Sequence, residues 1–184
     1  MNRPCDIILT SLAIVISLPV MVLLAVVIVI DSKGPAFFMQ DRVGQNGRYF
    51  KIYKFRTMVS NAESKGPLLA VRGDPRITRF GRFLRRWSLD ELPQLFNIIK
   101  GEMAVVGPRP EISPLVKTYS PWQQKVLSVK PGLTGFPQVM GRDELDMDQK
   151  IRLDIYYIRR KTFCFDLWIL FRTIITVISG RGAF

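Results

Sequence analysis

The chain is predicted to be an α+β protein with an N-terminal helix that enters a membrane, a small β-hairpin, and several short amphipathic helices. Three observations carry this. Residues 7–30 form a run of 24 residues without a charge. Two stretches rich in aromatic and β-branched residues flank Asn46-Gly47. Apolar side chains recur at helical spacing through a basic segment that ends at Trp87. A length of 184 residues suits one domain with an appendage. The expected division is an anchoring segment over 1–33 and a folded domain over 34–184.

The apolar run, IILTSLAIVISLPVMVLLAVVIVI, would make a helix of about 36 Å, against a hydrocarbon core of roughly 30 Å. Arg3 precedes it, but no small-residue cleavage motif follows, and Asp31-Ser32-Lys33-Gly34-Pro35 leads straight on. It therefore reads as a retained anchor rather than a signal peptide. Pro19 falls at its middle and removes one backbone hydrogen bond. The result is either a kinked spanning helix or two halves of about 16–18 Å that dip into one leaflet and return. In the second case hydroxyls such as that of Ser17 must satisfy freed carbonyls. From the residues alone the spanning helix is favoured, with the basic remainder on the cytoplasmic side.

Pro35 to Met58 is expected to be the hairpin, because Asn-Gly supplies the positive φ angles of a tight turn. Asn61 to Pro75 is polar with Gly and Pro, and reads as a surface loop. Residues 72–86 hold six arginines and one aspartate; Arg79, Arg82 and Arg86 recur at helical spacing, with Phe80, Phe83, Leu84 and Trp87 on the apolar side. That pattern suits an anionic membrane interface, or equally a solvated basic face over an ordinary core. Leu92 to Ile99 should be a short helix closed by Gly101. Val105 to Pro114 is proline-rich and expected to be irregular, Asp143 to Arg160 helical and charged, and Phe163 to Ile178 a core or interfacial helix.

Composition narrows the chemistry. Lys and Arg number 27 against 15 Asp and Glu, a formal charge of +12, which calls for anionic partners: nucleic acid, an anionic membrane face or phosphorylated substrates. The chain has no histidine, which removes Ser-His-Asp and Cys-His triads and His-bearing zinc sites. The two cysteines, Cys5 and Cys164, cannot build a four-cysteine site and read as small buried hydrophobes. Catalysis must rest on carboxylates, Lys, Arg, hydroxyls or a hard cation.

The segment Arg85-Arg86-Trp87-Ser88-Leu89-Asp90-Glu91-Leu92-Pro93 is the centre of interest. Viewed alone it is a helix start: Ser88 and Glu91 have capping-box spacing, and Pro93 suits a first turn. A carboxylate at such a start stays ionised, and Arg85 and Arg86 push the same way. An ionised Asp90 can attack phosphorus to form an acyl phosphate. Glu91 would point about 100° away around the helix, free to act as a base or metal partner. Lys54, Arg56, Arg109 and Arg142 are candidates to neutralise phosphate, Arg109 being held between Pro108 and Pro110. A hard cation, Mg²⁺, would use a carboxylate and substrate phosphate oxygens.

These motifs resemble the monotopic phosphoglycosyl transferases, the bacterial sugar transferase family. The matching residues, in order, are Lys54-Phe55-Arg56-Thr57-Met58, Ser88-Leu89-Asp90-Glu91-Leu92-Pro93-Gln94-Leu95, Gly107-Pro108-Arg109-Pro110, Lys130-Pro131-Gly132-Leu133-Thr134-Gly135 and Gly141-Arg142. The resemblance implies a ping-pong reaction. Asp90 attacks the β-phosphate of a UDP-sugar, UMP leaves, and a polyprenyl (undecaprenyl) phosphate takes the phosphosugar with help from Glu91. It implies Mg²⁺ at Asp90; phosphate or nucleotide contacts from Arg85, Arg109 and Arg142; and acidic family positions at Asp154 and Asp166. It also implies a re-entrant anchor, broken here at Leu18-Pro19 with the serine at Ser17, and a catalytic domain on the cytoplasmic face of the bacterial inner membrane. The chain resembles the minimal form of the family, and a homo-oligomer is compatible with it. Two other readings stand beside this one: a non-catalytic basic scaffold at the membrane interface, and a nucleic-acid binder, for which no binding motif is present.

Overall fold

The computed structural model describes residues 2–67, 70–71, 73–141 and 144–179. Helix α1, Arg3–Asp31, runs through Pro19 as one element. The hydroxyl of Ser17 turns back to donate to the Ala13 carbonyl at 2.6 Å, a bond that bends helices and supplies a donor near the gap left by the proline. Among the described residues α1 is the one helix long and apolar enough to cross a membrane.

Both ends of α1 are fastened to the same folded domain. At its start the Arg3 guanidinium donates to the carbonyls of Ile98 and Ile99, the latter at 2.8 Å. Asp6 is buried and accepts from the Val105 amide at 3.4 Å. At its far end Met21, Leu24 and Ile28 pack with Phe55 and Leu84. There Arg56 donates to the carbonyls of Ile28 (3.2 Å), Ser32 (2.6 Å) and Lys33 (3.0 Å), satisfying acceptors that every helix C-terminus leaves open. Ile8, Val15, Ile16, Leu23 and Ile30 stay exposed.

Strands β1 (Phe37–Val43) and β2 (Tyr49–Phe55) form the expected antiparallel hairpin, in register from Phe37↔Phe55 to Val43↔Tyr49. Its turn places Asn46 at φ 55° and Gly47 at φ 76°, the backbone that Asn-Gly was expected to supply. The following segment differs from a plain surface loop. Asp74 and Arg76 form a buried pair at 2.6 Å, and Arg76 also donates to the carbonyls of Ala62 and Pro67, both at 2.9 Å. Arg76 is therefore an internal staple, not part of a basic face.

Helix α2, Arg79–Arg86, is capped by Thr78, whose hydroxyl accepts from the Gly81 amide at 2.9 Å. Its Leu84 is fully buried, Phe80 stacks on Phe83, and Phe83 and Trp87 reach the surface. Helix α3, Gln94–Lys100, begins two residues later than expected and ends as expected at Gly101, φ 86°.

The stretch expected to be irregular from Val105 contains a strand. β3 (Ala104–Val106) pairs in parallel with β4 (Gly132–Thr134). Three apolar residues are too few to show a period, and a parallel partner far along the chain leaves no local signal. The close approach depends on glycine: a Cβ on Gly132 would strike the Gly107 backbone. Short helices α4 (Ser113–Val116) and α5 (Phe136–Met140) follow. Helix α6 (Met147–Arg160) starts with a capping box of Asp146 and Gln149, and α7 (Phe163–Ser179) completes the described chain.

Ile98, Met103, Val106, Tyr157 and Ile169 gather α3, β3, α6 and α7 into the main core. Phe136, Tyr156, Phe165 and Trp168 form an aromatic cluster on it. The Tyr157 hydroxyl donates to Asp166 at 2.6 Å inside this core. Both cysteines are free; Cys5 is part-buried, and Cys164 is exposed rather than buried as expected.

Gly81 shows how the fold aims the site. A Cβ there would collide with the backbone carbonyl of Thr57, and Arg85, one turn on, donates to the Thr57 hydroxyl at 2.9 Å. Gly81→Ala should lower stability by about 1–3 kcal/mol through overpacking, read as a drop in melting temperature in detergent. An unchanged melting temperature would show that α2 and β2 are not locked together here.

Candidate active site

A cavity of about 980 Å³ opens between the hairpin, the turn before α3, and helices α5 to α7. Its charged wall is built by a 3-10 turn, Leu89–Glu91. The preceding Ser88 sits in the left-handed region at φ 54°, a conformation rare for a residue with a side chain and held only where surroundings enforce it. The kink ends α2 and swings Asp90 and Glu91 into the cavity.

The two adjacent carboxylates have different surroundings. Glu91 accepts from Lys54 Nζ and from Arg109 Nη2, each at 2.8 Å. Burial pushes its carboxyl up, but the charges and hydrogen bonds of Arg109 and Lys54 outweigh that and hold it well below the usual range. The same contact raises Arg109, through the Glu91 charge before its own burial. Asp90 is 8% exposed and makes no hydrogen bond among the described residues. Burial pushes its carboxyl up; the charges of Lys54, Arg85 and Arg109 pull it down without cancelling the rise, and the Glu91 charge adds to it.

This corrects the helix-start account. The N-cap of α3 is Pro93; Asp90 sits instead in the first turn of the preceding 3-10 helix, where no side-chain cap bond forms at Ser88. The carboxylate held ionised is Glu91. Nor is Glu91 free as a base, since a carboxylate gripped by two cations holds protons poorly.

The other expected residues divide. Lys54, Arg85, Arg109 and Asp154 all line the cavity. Arg85 is lowered by its burial, with Asp90 and then Asp74 opposing. Asp154 is buried, and burial followed by the Glu111 charge holds its carboxyl well above the usual range. Asp166 is not among the lining residues; it is fully buried against Tyr157 in the core. Arg56, though a lining residue, donates through its guanidinium to the end of α1. Arg142 and Asp143 lie outside the described residues.

Arg42 was missed from the sequence. It donates to the Pro110 carbonyl at 3.2 Å and to Gln40 Oε1 at 2.8 Å, and lies 3.5 Å from Glu111, so it braces the segment that carries Arg109. Strand alternation could have found it, because Phe38, Gln40 and Arg42 share a face and Phe38 pairs with Lys54. Burial lowers Arg42, the nearby Glu111 charge opposing.

Comparison with known proteins agrees with the motifs. Residues 1–180 match the family model described as bacterial sugar transferase. The chain is 41% identical over 188 residues to the UDP-N-acetylgalactosamine-undecaprenyl-phosphate N-acetylgalactosaminephosphotransferase of Aeromonas hydrophila, covering 99% of this chain and 44% of that protein. It is 40% identical over 199 residues to an undecaprenyl-phosphate galactose phosphotransferase of Salmonella typhimurium, covering 100% of this chain and 42% of that one. It is 36% identical over 192 residues to a UDP-glucose:undecaprenyl-phosphate glucose-1-phosphate transferase of Escherichia coli, covering 100% and 41%. The chain thus spans less than half the length of these relatives.

The electrostatics set a titration test. The Glu91 charge raises Asp90 and the Lys54 charge lowers it, so Glu91→Gln should move the Asp90 titration to lower pH and Lys54→Met to higher pH. Carboxyl NMR of ¹³C-labelled aspartate reads both. A shift in the same direction for the two variants would mean that Asp90 does not feel this pair.

Proposed function

The chain belongs to the bacterial sugar transferase family, and from that premise we propose that it moves a sugar-1-phosphate from a UDP-sugar to a polyprenyl phosphate by way of Asp90. The observation that carries this reading is the contrast between neighbours: Glu91 is saturated by Lys54 and Arg109, while Asp90 faces the same cavity without a hydrogen bond among the described residues. The relatives' names supply the substrate classes, a UDP-sugar and undecaprenyl phosphate.

In the first step a carboxylate oxygen of Asp90 forms a bond to the β-phosphorus of the donor. The bond from that phosphorus to the bridging oxygen breaks, and its electron pair leaves with UMP. In the second step an oxygen of the polyprenyl phosphate bonds to the same phosphorus and the Asp90 carboxylate departs. Both attacking oxygens are anionic, so neither step needs a base. This fits a Glu91 that acts through the cations it holds. Lys54, Arg85 and Arg109 would offset the phosphate charge, the main requirement of phosphoryl transfer, and Arg142 is proposed for the same task on the motif alone.

Mg²⁺ fits these residues in one way. Among the described residues no cluster of three or more carboxylate or cysteine side chains could cage a metal, whereas Mg²⁺ with phosphate ligands needs only a carboxylate or two. Asp90 would hold it together with donor oxygens, and the cation would supply neutralising charge there.

The anchor follows from how α1 is tied down. Both of its ends bind one domain, through Arg3 and through Arg56, and Asp6, Thr10, Met21, Leu24 and Ile28 are buried along its length, so the domain flanks the helix instead of hanging from one end of it. This supports a re-entrant helix with both ends on the cytoplasmic face of the bacterial inner membrane. The exposed apolar side chains of α7, with Trp168 and Arg172, would rest at the interface. The reaction would be the first membrane step of a bacterial glycoconjugate pathway.

Intact-mass measurement tests the chemistry. After incubation with a panel of UDP-sugars and Mg²⁺, without lipid, the protein should carry a phosphosugar adduct, and Asp90→Asn should carry none. No adduct with any donor, and no UMP release once polyprenyl phosphate is added, would leave the non-catalytic scaffold standing. Such a scaffold would bind anionic vesicles equally well with or without Asp90.

A further inference from the structure

The cavity has a second polar group that the charged chemistry does not use, contributed by α5 and α6. Gln138 lines the cavity, and both its Nε2 and its Oε1 are buried without a partner among the described residues. Asp154, 6% exposed and also lining the cavity, leaves Oδ1 unpartnered in the same way. An orphaned buried polar group is costly, and native folds keep few of them, so three such atoms on one cavity call for a partner. Burial, followed by the Glu111 charge, pushes the Asp154 carboxyl well above the usual range, which favours the protonated form, with one donor and one acceptor.

Apolar side chains line the cavity next to these groups along the chain: Pro137 and Val139 flank Gln138, and Ile151 lies one turn from Asp154. An uncharged amide between apolar walls suits a flat group with polar edges and greasy faces. A sugar, with hydroxyls on every side, matches such walls poorly. The leaving half of the proposed donor contains such a flat group. Uracil carries an imide N–H between two carbonyls, and a primary amide pairs with that edge by donating one hydrogen bond and accepting another.

We propose that Gln138, with Asp154 on the adjoining helix, forms the subsite that reads the uracil edge of the donor nucleotide. The proposal rests on the donor reading above and adds the residues that would select a pyrimidine imide. Gln138 accepts from N3–H and donates to a flanking carbonyl; the protonated Asp154 carboxyl donates to the other carbonyl.

The test uses the full chain in detergent, with UMP, UMP methylated at N3, and inorganic pyrophosphate as probes of binding by calorimetry. N3 methylation should weaken binding to the wild type by about tenfold or more, as expected when a buried amide loses its partner. Gln138→Met should weaken UMP to a similar degree, leave pyrophosphate unchanged, and abolish the difference between UMP and its N3-methyl form. Equal binding of the two nucleotides by the wild type would overturn the subsite, and needs no variant to fold. So would a Gln138→Met protein that still distinguishes them. Adduct formation separates this from the donor reading. If the wild type forms an adduct from a UDP-sugar yet ignores N3 methylation, the subsite alone falls. If it forms no adduct with any donor, the donor reading falls with it.

Discussion

The site depends on one doubly paired carboxylate. Glu91 receives Lys54 from β2 and Arg109 from the segment after β3, both on the same oxygen. Three parts of the chain, distant in sequence, are tied by that oxygen: the hairpin, the 3-10 turn and the proline-bounded arginine. Lys54 and Glu91 are largely shielded from water while Arg109 is half-exposed, so the Lys54–Glu91 contact is the one whose loss would leave a shielded charge unpaired. Arg42 extends the brace by gripping the Pro110 carbonyl from β1. The cations are thereby fixed before any phosphate arrives, which is the condition under which charge stabilises a transition state without reorganisation.

The same pairing separates the two carboxylates chemically. Glu91 stands in the field of two cations that touch it, whereas Asp90 feels them at longer range and pays for burial without a bond. Adjacent acids pushed in opposite directions take different tasks. In the proposed reaction the carboxylate without a hydrogen bond keeps its lone pairs available for attack. An anion that holds two cations serves as a scaffold for charge. Both line one cavity, in a 3-10 turn that follows the left-handed Ser88.

Much of this was legible in the sequence where the signal is local. The hairpin followed from Asn46-Gly47, the end of α3 from Gly101, and the apolar α1 from its uncharged run. The residues that meet at the cavity, Lys54, Arg85, Asp90, Glu91 and Arg109, were all singled out by motif. What escaped depends on contacts between distant segments. The β3–β4 pairing is parallel and three residues long. Arg76 and Arg56 look like any surface arginine until Asp74 and the end of α1 are seen beside them. Asp166 carries an acid's label but Tyr157 claims it for the core. A helix start was a sound local reading of residues 88–93, and Ser88 does precede a helical turn with both acids in it. That turn is 3-10, however; Ser88 is left-handed and its side chain makes no cap bond, so α3 proper begins only at Gln94.

Arg56 also connects the anchor to the chemistry. It follows β2 directly, two residues after Lys54, and its guanidinium closes the C-terminus of α1 through three carbonyls. The strand that delivers a cation to Glu91 is therefore the strand that holds the membrane helix. Phe55, between them, is buried against Met21, Leu24 and Ile28 of that helix. Three successive residues thus point to site, core and anchor. All three touch the cavity, with Lys54 reaching Glu91 while Phe55 packs against α1. Under the proposed reaction a lipid-borne acceptor would meet its partner at the bilayer surface, and a strand end bonded to α1 would fix the height at which they meet. Helix α1 itself contributes no residue to the cavity lining, yet its placement and the position of Lys54 depend on neighbouring residues of one strand end.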